Sequence, residues 1–161
     1  MFVGEAPGAQ EDLSGVPFVG AAGQLLDKFL QRVNLHRDEC YIANILKCRP
    51  PGNRDPEVDE IKECFPFLQR QIATIRPRVL VTLGKYATQR LSLQWGEMRV
   101  LLQTLELNYT EGEHDPIPIV PTYHPSYLLR AAQGESDRAK ALFTDTVARL
   151  RRAMDIAGVS V

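Results

Sequence analysis

Residues 1–33, MFVGEAPGAQEDLSGVPFVGAAGQLLDKFLQRV, contain three patterns in succession. Apolar Met1-Phe2-Val3 runs into a glycine-rich stretch over residues 4–23, and residues 24–33 then repeat apolar side chains at helical spacing. Strand, glycine-rich loop and helix in that order aim backbone N–H groups and a helix N-terminus at a bound anion. Three glycines in the second half of the loop let its backbone approach a ligand closely. Between them Pro17-Phe18 sets an aromatic ring where packing alone has no evident need of one. The same residues also suit an ordinary strand-to-helix connection, so the loop by itself leaves both readings open.

Outward from this stretch, Leu25, Leu26, Phe29, Leu30 and Val33 recur on one helical face, which predicts an amphipathic helix over about 22–34. YIANIL (41–46) is short, apolar and β-branched, the mark of a buried strand. It enters KCRPPGNRDP (47–56), whose three prolines and one glycine make a loop. Asp55-Pro56 caps a helix at about 57–76 with Ile61, Phe65, Leu68, Ile72 and Ile75 inward, and Pro77 ends it. RVLVTL (78–83) is the clearest buried strand, and Gly84 turns it into a helix at about 85–93. Residues 100–107 are compatible with another strand and 109–116 with a polar loop. Residues 117–121 form a short strand ending in TYHPSYLLR (122–130), and 136–156 a long closing helix.

Strands alternating with helices imply a three-layer α/β/α fold around a central, mostly parallel four-stranded sheet. Binding crevices in such sheets lie at the carboxyl ends of the strands. The loops after the strands at 1–4, 41–46 and 117–121 all lie there and are expected to converge on one site. The 161 residues, 44% hydrophobic, suit a single domain over 1–161 with a full-sized core. No apolar run approaches a membrane span and no signal-peptide pattern is present, so a cytosolic, membrane-free monomer is expected. Three cysteines suit a reducing compartment. Nineteen basic against 20 acidic residues, a net charge of −1, argue against broad electrostatic binding of nucleic acid while leaving room for a local site. The first strand has only about four residues, short for a core strand, so the chain reads as an N-terminally truncated fragment or one with a misplaced start.

GEAPGAQED with GVPFVGAAG, then YIANILKCRPPGNRDP, then YHPSYLLR, in that order and spacing, resemble the family 4 uracil-DNA glycosylases, the iron–sulfur type of their superfamily. The resemblance runs from about residue 2 to the end. It implies hydrolysis of the bond joining uracil to deoxyribose in DNA, leaving an abasic site for base-excision repair, with the base flipped into a fitted pocket. Uracil-containing DNA is then the partner. Phe18 matches the family's stacking aromatic. Asn44 lies inside an apolar strand, where an amide is costly unless bonded, and matches the carboxamide that offers donor and acceptor to uracil O4 and N3–H. His124 matches the histidine that hydrogen-bonds uracil O2 as negative charge develops; His36 and His114 read as surface residues.

Glu11 matches the residue that crowds the uracil 5-position and disfavours thymine by steric exclusion. The aspartate that positions water in family 1 enzymes corresponds to Ala6, so Glu5 either places the water or braces the loop, with the DNA's own phosphates stabilising the sugar cation. Residues 126–130 resemble the loop that enters the duplex. Ser126 opens it, and Leu128 holds the place of the family 1 intercalating leucine unless both leucines simply begin a buried helix. Arg130, Lys47, Arg49 and Arg54 are expected at phosphates.

The resemblance further implies a [4Fe–4S] cluster on four cysteines. Cys48 and Cys64 match two ligands, with fifteen residues between them, and the family's other two form a Cys-x2-Cys pair upstream of the first strand. Only two of the four ligands are present in this sequence, and Cys40 reads as a small core residue. Three other readings compete. A relative that traps its product covalently would carry an inserted basic loop where this chain has the short GNRDP. A generic phosphate-binding α/β protein fits the first loop but not Asn44 with His124. A truncated, non-catalytic remnant that binds DNA or nucleotide stays open.

Overall fold

The computed structural model describes residues 1–104, 106–134 and 136–159. In chain order these form β1 (Phe2–Gly4), α1 (Ala9–Ser14), α2 (Ala21–Arg32), β2 (Ile42–Asn44), α3 (Val58–Ile75), β3 (Leu80–Leu83), α4 (Lys85–Ser92), α5 (Met98–Leu101), β4 (Leu107–Tyr109), β5 (Ile117–Thr122), α6 (Pro125–Ala131) and α7 (Ser136–Ala157). Side chains alternate across a strand, and that alternation builds the layers. Phe2, Val79, Val81, Leu83 and Val120 join one apolar cluster with residues of α2, α6 and α7. Val3, Leu80, Ile117 and Ile119 join a second cluster with Phe65, Leu68 and Ile72 of α3 and Ala87 and Leu91 of α4. Helices therefore cover both faces of the sheet.

The strand order is β2-β1-β3-β5-β4. The first four are parallel, with Phe2 opposite Ile42 and Val81, and Val81 opposite Val120. Only β4 runs antiparallel, pairing Leu107 with Ile119 and Tyr109 with Ile117. The sheet thus has five strands rather than the four expected. The added strand is a three-residue edge, LNY, with an exposed Asn108 between two buried residues. So short an alternation is barely distinguishable from loop in the sequence. The first two residues of the 100–107 stretch compatible with a strand instead close helix α5, and Tyr109, read as loop, is buried at 1% exposure.

Two loops also hold helices that the sequence reading did not separate. α1 lies inside the glycine-rich stretch, and α6 follows directly from His124. α3 ends at Arg76, which is left-handed (φ 51°) directly before Pro77, and proline disfavours the right-handed helical region at the residue before it. Among the described residues, no helix is long and apolar enough to cross a membrane.

Candidate active site

The loops after β1, β2 and β5 converge as expected, and the loop after β3 joins them. Together they line a cleft of about 480 Å³ that contains Glu5, Ala6, Glu11, Phe18, Asn44, His124, Ser126 and Arg130. The sequence reading missed the contribution of Asp55, Lys85 and Tyr86 to the same cleft. Its signal was available, because Gly84 turns β3 into α4 at the same carboxyl edge of the sheet.

The glycine-rich loop does present convergent backbone N–H groups, but this chain's own carboxylate takes them. Glu11 Oε1 accepts from Val19 N (2.9 Å) and Gly20 N (2.7 Å), and Oε2 accepts from Gly8 N (3.1 Å). Gly8 and Gly20 are the N-caps of α1 and α2, so one carboxylate ties two helix N-termini together. Burial pushes the Glu11 carboxyl up, yet the N–H bonds outweigh it and hold it below its ordinary value. The expected anion site is therefore filled internally.

That tie shapes the wall beneath it. Phe18, 5% exposed, sits at φ 56°, and Gly23 makes its position possible: a Cβ there would run into the Phe18 carbonyl. Across the cleft floor, a Cβ on Gly4 would collide with the Phe18 ring and lie 2.6 Å from Asn44 Oδ1. Hydrogen at Gly4 thus lets ring edge and carboxamide share one slot. Asn44 is 5% exposed, and its Oδ1 is the one buried side-chain oxygen or nitrogen among the described residues that lacks a hydrogen-bond partner. Leaving such an acceptor unmet costs about 1–3 kcal/mol, so Oδ1 is open to an N–H or O–H donor.

His124 caps α6. Its Nδ1 accepts from Ser126 N (3.1 Å) and lies 2.7 Å from Ser126 Oγ. An N–H donor at Nδ1 requires a lone pair there, so the neutral ring carries its proton on Nε2. Burial, then Arg130, pushes the imidazole down to about 4, so it is neutral at physiological pH. Its ring lies 5.7 Å from that of Phe18. Ser126, expected at DNA, bonds the histidine through both its backbone N–H and its hydroxyl.

Glu5 lines the same cleft. Burial and the neighbouring Asp55 push its carboxyl up to about 7. Tyr86 is pushed up to about 12, first by burial and then by its hydrogen bond to Asp55. The cleft therefore pairs a carboxyl that exchanges protons near neutrality with an imidazole that stays neutral, the separation of character that acid–base sites use.

The DNA-facing expectations are redistributed. Leu128 is 0% exposed and packs in the core with α2 and α7, so it is not presented to a duplex. Capping by His124 makes 125–131 helical, which puts Pro125 and Leu128 together on the inner face. Arg54 is held by Glu60 through two bonds (2.7 and 2.9 Å), and Lys47 Nζ by the Asn44 carbonyl (2.7 Å) and Gln71 (2.8 Å). Burial pushes Lys47 down to about 8. Arg49 donates to Asn53 Oδ1 (2.7 Å). Arg130 is exposed at the cleft rim with no ion pair among the described residues.

Of the thiols, Cys48 is exposed, and Cys64 is half-buried and accepts from Lys47 N at 3.5 Å. An N–H···S bond suits a thiolate ligand, but no group of three or more Cys, His, Asp or Glu among the described residues is placed to hold a metal. Two thiols do not fit the four-thiolate requirement of a [4Fe–4S] cluster.

An aromatic ring, an unmet buried carboxamide and an imidazole lowered by burial thus meet at the carboxyl edge of a mostly parallel α/β sheet. The chain belongs to the uracil DNA glycosylase superfamily, whose model matches residues 1–151, and to its type-4 branch. It is 47% identical over 135 residues to the type-4 uracil-DNA glycosylase of Sulfurisphaera tokodaii, covering 80% of this chain and 60% of that protein. Identity to the type-4 enzyme of Saccharolobus solfataricus is 45% over 132 residues, 80% of this chain and 61% of that one. The Pyrobaculum aerophilum type-4 enzyme is 40% identical over 147 residues, 89% of this chain and 75% of its own length. The chain thus spans about 60% of the length of the first two relatives.

Proposed function

We propose that residues 1–161 are one catalytic domain that removes uracil from DNA as a cytosolic monomer. The observation that carries this reading is the unmet Asn44 Oδ1 against the Phe18 ring edge. Uracil presents the matching N–H at N3, beside two carbonyls. In the proposed complex Phe18 stacks on the flipped base, Asn44 bonds N3–H and O4, and His124 Nε2–H donates to O2. As the C1′–N1 bond breaks, its electron pair passes to the base, and the neutral imidazole stabilises the charge at O2. Water then attacks C1′, with ionised Glu5 taking its proton and the DNA's phosphates easing the sugar's positive charge. Glu11, held by three N–H bonds, is a rigid wall beside Ala6 against a 5-methyl group. Arg130 meets phosphate at the rim. Cys48 and Cys64 belong to no step of this reaction.

The test is cleavage of a single-uracil oligonucleotide followed by alkali, with a thymine control. The folded chain is expected to cut at uracil only. Asn44→Ala is expected to lose about 10²–10³-fold in kcat/KM, the scale of one lost transition-state hydrogen bond. An unchanged Asn44→Ala rate sinks the assignment. A folded chain that binds the oligonucleotide without cutting it would overturn this reading in favour of a non-catalytic DNA-binding module.

A further inference from the structure

A second cavity lies between α2 and α7, a groove of about 610 Å³ that shares no residue with the catalytic cleft. Its walls are single faces of two helices. On α2 the lining runs Leu25, Lys28, Phe29, Arg32, and on α7 it runs from Lys140 through Phe143 and Val147 to Arg151, both at the three-and-four spacing of one helical stripe. The floor is apolar: Phe29 and Phe143 meet with ring centroids 5.2 Å apart, and Phe143 and Val147 are only half-buried.

The rim is cationic. Lys28, Arg32, Lys140 and Arg151 border the groove, and among the described residues no acidic one does. Among the described residues Lys28, Arg32 and Arg151 make no ion pair, and Lys140 reaches only the exposed Asp137, at 3.7 Å. The neighbouring acids Asp27 and Asp145 are occupied by Arg37 and Arg149. In a chain with net charge −1, four cations round an apolar trough form a locally positive patch.

We propose that this groove docks an acidic segment of a partner protein that carries apolar or aromatic anchors, its carboxylates meeting the four cations and its anchors the Phe143–Val147 floor. Charge complementarity selects the sign, and the aromatic floor favours a peptide over a sugar-phosphate backbone, which has no apolar anchor to bury. The volume admits a few side chains, as helix-in-groove recognition requires. Because α2 begins at the cleft and the groove lies further along it, a docked partner leaves the cleft open.

The test needs no turnover. A fluorescein-labelled ten-residue peptide of glutamates with leucine or phenylalanine at every third or fourth position is titrated with the protein by anisotropy. A control peptide replaces glutamate with glutamine, and a single-stranded thymidine oligonucleotide serves as competitor. Arg32→Glu with Arg151→Glu, both exposed and outside any ion pair among the described residues, is expected to retain the native circular dichroism and weaken peptide binding about tenfold or more. Higher salt and the glutamine peptide are expected to weaken it as well. Phe143→Ser tests the floor separately and is expected to weaken binding at unchanged salt dependence. Equal binding by the charge-reversed variant, equal binding of the glutamine peptide, or full displacement by the oligonucleotide would each overturn the proposal, the last in favour of nucleic acid.

Discussion

Glu5→Gln should expose a cancellation in the pH dependence of stability. In the native chain Glu5 is moved from 4.5 to about 7 by burial and Asp55, and His124 from 6.5 to about 4 by burial and Arg130. At about 1.4 kcal/mol per pH unit each displacement converts to about 3 kcal/mol, and partial solvent access reduces the Glu5 share to about 2 kcal/mol. The signs oppose. Raised Glu5 contributes stability that is full below pH 4.5 and lost as pH rises through about 7. Lowered His124 contributes stability that is full above pH 6.5 and lost as pH falls through about 4. Across this window the native chain should therefore change little from these two groups.

Glutamine keeps the shape of the protonated acid and removes one half of the cancellation. Relative to the native chain, Glu5→Gln should be about 2 kcal/mol more stable at pH 7.5 and about equal in stability near pH 4.5. Its own stability should then drop by about 3 kcal/mol between pH 6.5 and 4. Urea unfolding followed by circular dichroism at several pH values reads this directly, and the variant-minus-native difference removes the other carboxylates. A difference that stays near zero at pH 7.5 would refute the reasoning. Activity should move the opposite way, with cleavage lost in the more stable variant, as stored strain at a site implies.

Leu128→Ala should destabilise by about 2–5 kcal/mol, the cost of a core cavity, whereas a duplex wedge would leave the denaturation midpoint unchanged. Glu11→Ala frees three backbone N–H groups at two helix N-termini and should cost about 2 kcal/mol at pH 7. Because the Glu11 carboxyl is held below 4.5, that loss should shrink as pH falls below this value. Gly4→Ala drives a methyl group into Phe18 and Asn44. It should cost about 1–3 kcal/mol and abolish cleavage of a uracil oligonucleotide while the chain stays folded, measured by scission and by near-ultraviolet circular dichroism.

The division between what was legible in the residues and what was not follows the range of the interactions. Local period and punctuation placed β1, β2, β3 and β5, the helices α2, α3, α4 and α7, and the convergence of three loops. Those signals act over a few residues and are written in consecutive side chains. The edge strand β4 escaped because its three residues owe their state to pairing with β5, not to their own pattern. The family resemblance pointed to Phe18, Asn44 and His124, and the three loops that carry them line one cleft.

Charge partners and burial had to await the fold. Glu11 reads as a free acid until Val19, Gly20 and Gly8 fold round it, and Arg54 as a free cation until Glu60 arrives. Leu128 is equally leucine at a duplex or in a core. By itself the sequence determined the class of fold and the family, because periodicity and motif order are carried in the chain. The tertiary structure alone decided which polar atoms are satisfied and which side chains water can reach, because both depend on neighbours distant in sequence.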